Sequence, residues 1–178
     1  MTYRDRVQDS HEILGISSDY SQQCGIPLCL EPDELTDTEL DFYQRPQKLT
    51  PAACKAWTAM KAEATQQQVS LFLISAFRSL QYQHGLIAKK LQQGQSLEQI
   101  LRVNAAPGYS EHHSGRALDV GTEECDALIE EFENTNTFHW LNKNASRFGF
   151  CLSYPRDNSS NIDYEPWHWC FQGREEEQ

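Results

Sequence analysis

Residues 110–120, SEHHSGRALDV, place two adjacent histidines, a glycine and an aspartate in eleven residues. Gly115 suits a turn, and Ala117, Leu118 and Val120 suit a strand. Neither element needs His112, His113 or Asp119. The stretch therefore reads as a loop entering a strand, with metal-ligating side chains at both ends of it.

The rest of the chain supplies the elements around that strand. VSLFLISAF (69–77) is a short, nearly continuous apolar run and predicts a buried strand. FCLSYP (150–155) and EPWHWCF (165–171) predict two final strands, joined as a hairpin by the long polar loop RDNSSNIDY. Thr50-Pro51 reads as a helix start, and PAACKAWTAMKAEATQQQ follows with Cys54, Trp57, Met60 and Ala64 at helical spacing. Further helices are predicted from about Ser79 to Gly94, over SLEQILRVN, and over NTFHWLNKNASRFG, which Gly149 closes. The fold class is thus α+β, a small central antiparallel sheet flanked by helices. Residues 1–50 carry turn formers such as CGIPLCLEPDELTD and read as an irregular N-terminal arm packed on the core. Residues 51–172 form the functional domain, and 173–178 an acidic tail.

At 178 residues the chain is long enough for one domain with a real core, and 39% hydrophobic content excludes a disordered composition. With 15 Lys and Arg against 26 Asp and Glu, the formal charge is −11, which argues against nucleic-acid phosphates or anionic lipid as partners. No stretch approaches the roughly 20 apolar residues of a membrane span. The start, MTYRDRVQDSHEILGI, lacks a continuous apolar run, so no secretory signal is read. As the sequence stands a cytoplasmic location is expected, and a periplasmic or extracellular one if a leader has been removed. The six cysteines (Cys24, Cys29, Cys54, Cys125, Cys151 and Cys170) show no CxxC pairing and are expected to be mostly reduced, although Cys24 and Cys29 could close a short loop in an oxidising compartment.

Three segments carry chemistry: SAFRS (75–79), SEHHSGRALD (110–119) and EPWHW (165–169). A catalytic zinc takes three protein ligands and keeps one position for water. His112, Asp119 and His168 supply such a set, with His113 standing in for His112 if the register differs. Glu165, three residues before His168, is the candidate general base. It reaches the same side only if Pro166 bends the start of the strand, because residues three apart on a strand face opposite ways. Arg78 ends a buried strand and needs an anionic partner, either a substrate carboxylate or oxyanion, or an internal Asp or Glu. His113 is otherwise a supporting or exposed residue, and His11, His84 and His139 are ordinary surface or core histidines. Trp167 and Trp169 pack in the core by default, with Trp167 also a candidate pocket wall.

Together these segments resemble the zinc D-alanyl-D-alanine carboxypeptidases of the VanY type, whose pattern runs Ser-x-Tyr-Arg-Ser, Ser-x-His-x-x-Gly-x-Ala-x-Asp and Glu-x-Trp-His. Ser75, Arg78 and Ser79 match the first, with Phe77 in place of the tyrosine and its hydroxyl lost. Ser110, His112, Gly115, Ala117 and Asp119 match the second, and Glu165, Trp167 and His168 the third. The resemblance covers about residues 50–172. It implies Zn²⁺ on His112, Asp119 and His168, which favours His112 over His113, with Glu165 as base and Arg78 stabilising the tetrahedral intermediate. It also implies the Hedgehog and lysostaphin-like peptidase fold. Ser110 is then a substrate contact, and Ser79, Gln83, Ser153, Tyr154 and Trp167 are looser candidates. The implied activity is release of C-terminal D-alanine from a peptidoglycan stem peptide or muropeptide. An L,D-carboxypeptidase, a D-Ala-D-Ala dipeptidase and a non-catalytic zinc-stabilised binding module are the alternatives. Assay of the wild type against Glu165→Ala, both zinc-loaded, separates the last from the rest.

Overall fold

The computed structural model describes residues 1–174. A four-stranded antiparallel sheet positions the site. Its strands are β3 (Phe72–Ser75), β4 (Ala117–Gly121), β5 (Phe150–Leu152) and β6 (His168–Phe171), in the order β3-β4-β6-β5. β5 and β6 pair across the long loop as expected. Every residue of β4 is buried, as suits a central strand. Strand alternation divides the side chains between two faces. Leu118 and Val120 of β4, with Trp169 and Phe171 of β6, join the main core, whereas Asp119 and His168 lie on the opposite face. The register sets Asp119 directly opposite His168 on one side and Ser75 on the other.

The core face is covered by α3 (Pro51–Gln66), which buries Trp57, Met60 and Ala64 against Leu73, Leu118 and Val120. Full burial of an aliphatic side chain of this kind contributes about 1.5–3 kcal/mol. α6 (Asn136–Asn144) closes the other end through Trp140 and Leu141. A short 3-10 turn then leads to Gly149, whose φ of 80° ends the segment as the sequence suggests. The helix expected from Ser79 is α4 (Leu80–Gln92), with the Ser79 hydroxyl accepting from the Tyr82 amide. α5 (Leu97–Val103) begins with a reciprocal Ser96–Gln99 capping box.

β3 is shorter than the apolar run 69–77. The ladder with β4 is irregular between Leu73 and Ser75, and the chain then turns to strand β2 (Pro46–Leu49) instead. The Ala76 amide donates to Gln47 Oε1 and the Phe77 amide to the Lys48 carbonyl.

The first 50 residues are not irregular throughout. They form α1 (Tyr3–Leu14), α2 (Tyr20–Cys24) and a hairpin of β1 (Thr36–Leu40) and β2 (Pro46–Leu49). α1 starts at a Thr2–Asp5 capping box and buries Val7, Ser10, His11 and Leu14. Half of that face is polar, so the apolar periodicity that marks a helix is missing from the sequence. β1, TDTEL, likewise has no apolar face. Its hairpin is held by Asp41, which is buried and accepts from the Tyr43 and Arg45 amides, Arg45 Nε and Gln47 Nε2. Burial would raise the Asp41 pKa, but these Arg45 and Tyr43 contacts hold it below the usual carboxylate range. Leu14, Ile16, Tyr20, Cys24 and Ile26 pack with Ile87, Ile100 and Tyr154 into a second core. The six cysteines are all free. Of the acidic tail 173–178, residues 175–178 lie outside the described residues. No helix among the described residues is long and apolar enough to cross a membrane.

Candidate metal centre

The turn at Gly115, with φ of 65°, lets a 3-10 segment, Glu111–Ser114, fold back over the site face of the sheet. One ligand atom from each of His112, Asp119 and His168 lies within 4.8 Å of the others, and all three residues are buried. The two neighbouring histidines are both pinned through Nδ1 but face different ways. His112 Nδ1 donates to the Ala76 carbonyl at 2.6 Å, which leaves Nε2 as a bare acceptor. That Nε2 is buried, 3.3 Å from Asp119 Oδ2, and has no hydrogen-bond partner. His113 Nδ1 donates to the Arg78 carbonyl at 2.6 Å, and its Nε2 accepts from the Gly108 amide at 3.0 Å. His113 is therefore a fully buried structural residue with both nitrogens used, and not an exposed one.

His168 sits between two carboxylates, with Nδ1 3.1 Å from Asp119 Oδ1 and Nε2 3.0 Å from Glu111 Oε2. Burial lowers the pKa of His112 to about 4, with the Arg78 charge adding to the effect. For His168 burial works the same way, but hydrogen bonds to Asp119 and Glu111 win and raise it to about 10. Burial pushes Asp119 up, yet His112 and His168 hold it well below the usual carboxylate range. A buried carboxylate between two imidazoles is a donor set able to hold a divalent ion, which would take the place of the His168 Nδ1 proton and satisfy the orphaned lone pair of His112 Nε2.

Glu165 lies in a turn just before β6, where the His168 amide donates to the Glu165 carbonyl at 3.1 Å. That turn places Glu165 Oε2 3.9 Å from His168 Nδ1, which answers the alternation objection: Glu165 precedes the strand. Burial raises its carboxyl to about 7, helped by Asp119 and Glu111 and opposed by His168 and Arg78. Arg78 reaches Asp119 Oδ2 at 3.5 Å and Gln83 Oε1 at 3.4 Å, both long contacts, while its buried Nε has no partner.

Arg78, Gln83, Ser110, His112, Tyr154, Glu165 and His168 line a cleft of about 30 Å³, enough for an ion with a water. A longer groove of about 510 Å³ shares Arg78 with it, reaches Asp119 and runs past Ser79 and Tyr82 toward the β1–β2 hairpin. Gln83 is fixed by donating to the Ala105 carbonyl at 2.8 Å. Tyr154 stacks at a tilt on His168, with ring centroids 4.9 Å apart. Ser153 is directed at Glu111 and not at the cleft. Trp167 packs against the main core and does not line the cleft. His11 and His84 bond the Pro107 carbonyl and Ser10, and His139 is exposed. Glu111 is the site residue that sequence reasoning passed over. It occupies an unspecified position in the Ser-x-His motif, and its only signal was its place beside His112.

Fold and site define the class: an α+β protein whose central strands and neighbouring 3-10 turn bring together a His-Asp-His cluster able to hold a metal ion beside a buried carboxylate. Comparison with known proteins is more specific. The family model for VanY, D-alanyl-D-alanine carboxypeptidase, matches residues 46–174, and the chain belongs to that family. It is 28% identical over 180 residues to the putative carboxypeptidase YodJ of Bacillus subtilis (strain 168), covering 96% of this chain and 63% of YodJ. It thus spans less than two thirds of that relative. It is 30% identical over 130 residues to the bifunctional D-Ala-D-Ala dipeptidase and carboxypeptidase VanXYC of Enterococcus gallinarum, covering 70% of this chain and 67% of VanXYC. Among solved structures, the LD-carboxypeptidase LdcB superposes with a TM-score of 0.72 at 28% identity, over 80% of this chain and 70% of LdcB. A mutant of the vancomycin-resistance D,D-pentapeptidase VanY in complex with Zn(II) shares the fold, with a TM-score of 0.62 at 22% identity over 83% of this chain and 87% of that one.

Proposed function

We propose that this chain is a zinc-dependent D,D-carboxypeptidase that releases C-terminal D-alanine from peptidoglycan-type stem peptides. The observation that carries the reading is the convergence of His112 Nε2 and His168 Nδ1 on Asp119, with Glu165 and Arg78 beside them. His112, Asp119 and His168 would hold the zinc, which supplies Lewis acidity and lowers the pKa of a water. Glu165, poised near neutrality, takes the proton of the attacking water and returns it to the leaving amine. Arg78, with an unused Nε and two long contacts it can exchange, aims donors at the oxygen that gains charge. Tyr154 and Gln83 wall the cleft, and the stem peptide lies in the adjoining groove, whose size suits a ligand of that kind. Zinc in a VanY relative supports the choice of ion.

An L,D-carboxypeptidase acting on tetrapeptide stems is the second reading, favoured by the likeness to LdcB. Product analysis by mass spectrometry decides. Zinc-loaded protein is offered a stem pentapeptide, a stem tetrapeptide and free D-Ala-D-Ala. Loss of one alanine from the pentapeptide is expected. Cleavage of the tetrapeptide alone supports the second reading, and cleavage of the dipeptide alone overturns both.

A further inference from the structure

The two nitrogens of His168 have different uses. Nδ1 faces Asp119 and the cluster, whereas Nε2 points the other way, onto Glu111 Oε2 at 3.0 Å. Ionised carboxylates only accept hydrogen bonds, so in the metal-free protein both nitrogens carry protons; a cation in the cluster takes the place of the Nδ1 proton, while the Nε2 proton stays on Glu111. Glu111 is well placed for this. Its side chain is 26% exposed, and the Ser153 hydroxyl is a further partner. Ser114 Oγ donates to its main-chain carbonyl and ties down the 3-10 turn. Glu111 does not line the cleft, while Glu165 does. It therefore lies behind the imidazole and not beside the reacting atoms.

We propose that Glu111 is a positioning residue for the metal: its carboxylate holds the Nε2–H tautomer and ring orientation of His168, so that Nδ1 is presented to the ion. The same short turn then serves the site twice, supplying His112 as a ligand and Glu111 as the support for a ligand 57 residues further on. The inference rests on the reading that the cluster binds a metal, and it is independent of which peptide is cleaved. Carboxylate–imidazole–metal relays of this kind orient the ligand and strengthen it as a donor.

The test measures zinc affinity and not turnover. Metal-free full-length wild type, Glu111→Ala and Glu111→Gln compete with a chromophoric chelator for Zn²⁺, with folding checked by circular dichroism. Glu111→Ala is expected to bind about 10- to 100-fold more weakly, and Glu111→Gln, which keeps an acceptor, is expected to lose less. Nitrogen-15 NMR of the zinc-loaded wild type should show His168 protonated at Nε2 and metal-bound at Nδ1, a readout that stands even if Glu111→Ala fails to fold. A folded Glu111→Ala with wild-type affinity, or zinc on Nε2 of His168, overturns the proposal. A wild type that binds no zinc overturns the metal reading and this proposal with it. A wild type that binds zinc but cleaves none of the peptides overturns the activity alone.

Discussion

Glu165→Gln should inactivate the protein and at the same time stabilise its metal-free form. Glu165 is 12% exposed and burial raises its carboxyl from an ordinary 4.5 to about 7. A raised carboxyl pKa means that the folded state keeps its proton where the unfolded state has lost it. As pH climbs from about 4.5 to about 7, stability is therefore lost, at about 1.36 kcal/mol per pH unit, which comes to about 3 kcal/mol above neutrality. Glutamine mimics the protonated carboxyl in shape and never ionises, so the variant escapes this loss. In a domain of this length the gain corresponds to roughly 6–12 °C in Tm at pH 8, shrinking toward zero at pH 4.5. Thermal unfolding of metal-free wild type and variant across that pH range reads it directly. With zinc bound, the cation favours the ionised carboxylate and the gain should be smaller. Peptidase activity should fall by about 10²–10⁴, the usual contribution of general acid–base catalysis. A variant no more stable than wild type at pH 8, or equally stabilised at both ends of the range, would refute the reasoning that burial keeps Glu165 poised as a base.

Other perturbations separate the scaffold from the chemistry. Gly115→Ala puts a side chain at φ 65°, with its Cβ 2.8 Å from Leu35 Cδ2 and 3.3 Å from Thr50 Cγ2; the left-handed conformation alone costs about 1–2 kcal/mol, so Tm should fall by roughly 2–8 °C in a melt, and an unchanged Tm would show that the turn tolerates a Cβ. Arg78→Lys keeps the charge but loses the planar fork; kcat/KM should drop about 10²–10³ with zinc affinity held within a few-fold, and loss of zinc instead would assign Arg78 to supporting Asp119.

The parts of the molecule legible in the sequence are those where one physical demand dominates. Leu118 and Val120, or Trp57 and Met60, must be buried, and their spacing discloses strand and helix. His112 and Asp119 stand out because no packing demand explains them. The N-terminal elements escaped because their stabilising contacts are polar and long-range. The buried face of α1 includes His11, bonded to the Pro107 carbonyl at 2.8 Å, and the β1–β2 turn hangs on the Asp41 carboxylate. Glu111 and His113 show the same limit inside the site. Adjacent in sequence to the obvious ligand, they differ from it only in what they meet across the fold: His168 on one side, the Arg78 carbonyl and Gly108 amide on the other. The bend that turns Glu165 toward His168 depends on main-chain bonds to Tyr154 and within the turn, which strand periodicity alone does not reveal.

The proposed hydrolysis needs a zinc ion held by three protein groups with one position left for water. X-ray absorption of the zinc-loaded full-length protein addresses this directly. Two imidazole nitrogens and a carboxylate oxygen at about 2.0–2.2 Å, with one further light-atom oxygen that exchanges with solvent, are expected. A sulfur scatterer at about 2.3 Å, or a shell left unchanged when Asp119 or His168 is replaced by alanine, would contradict it.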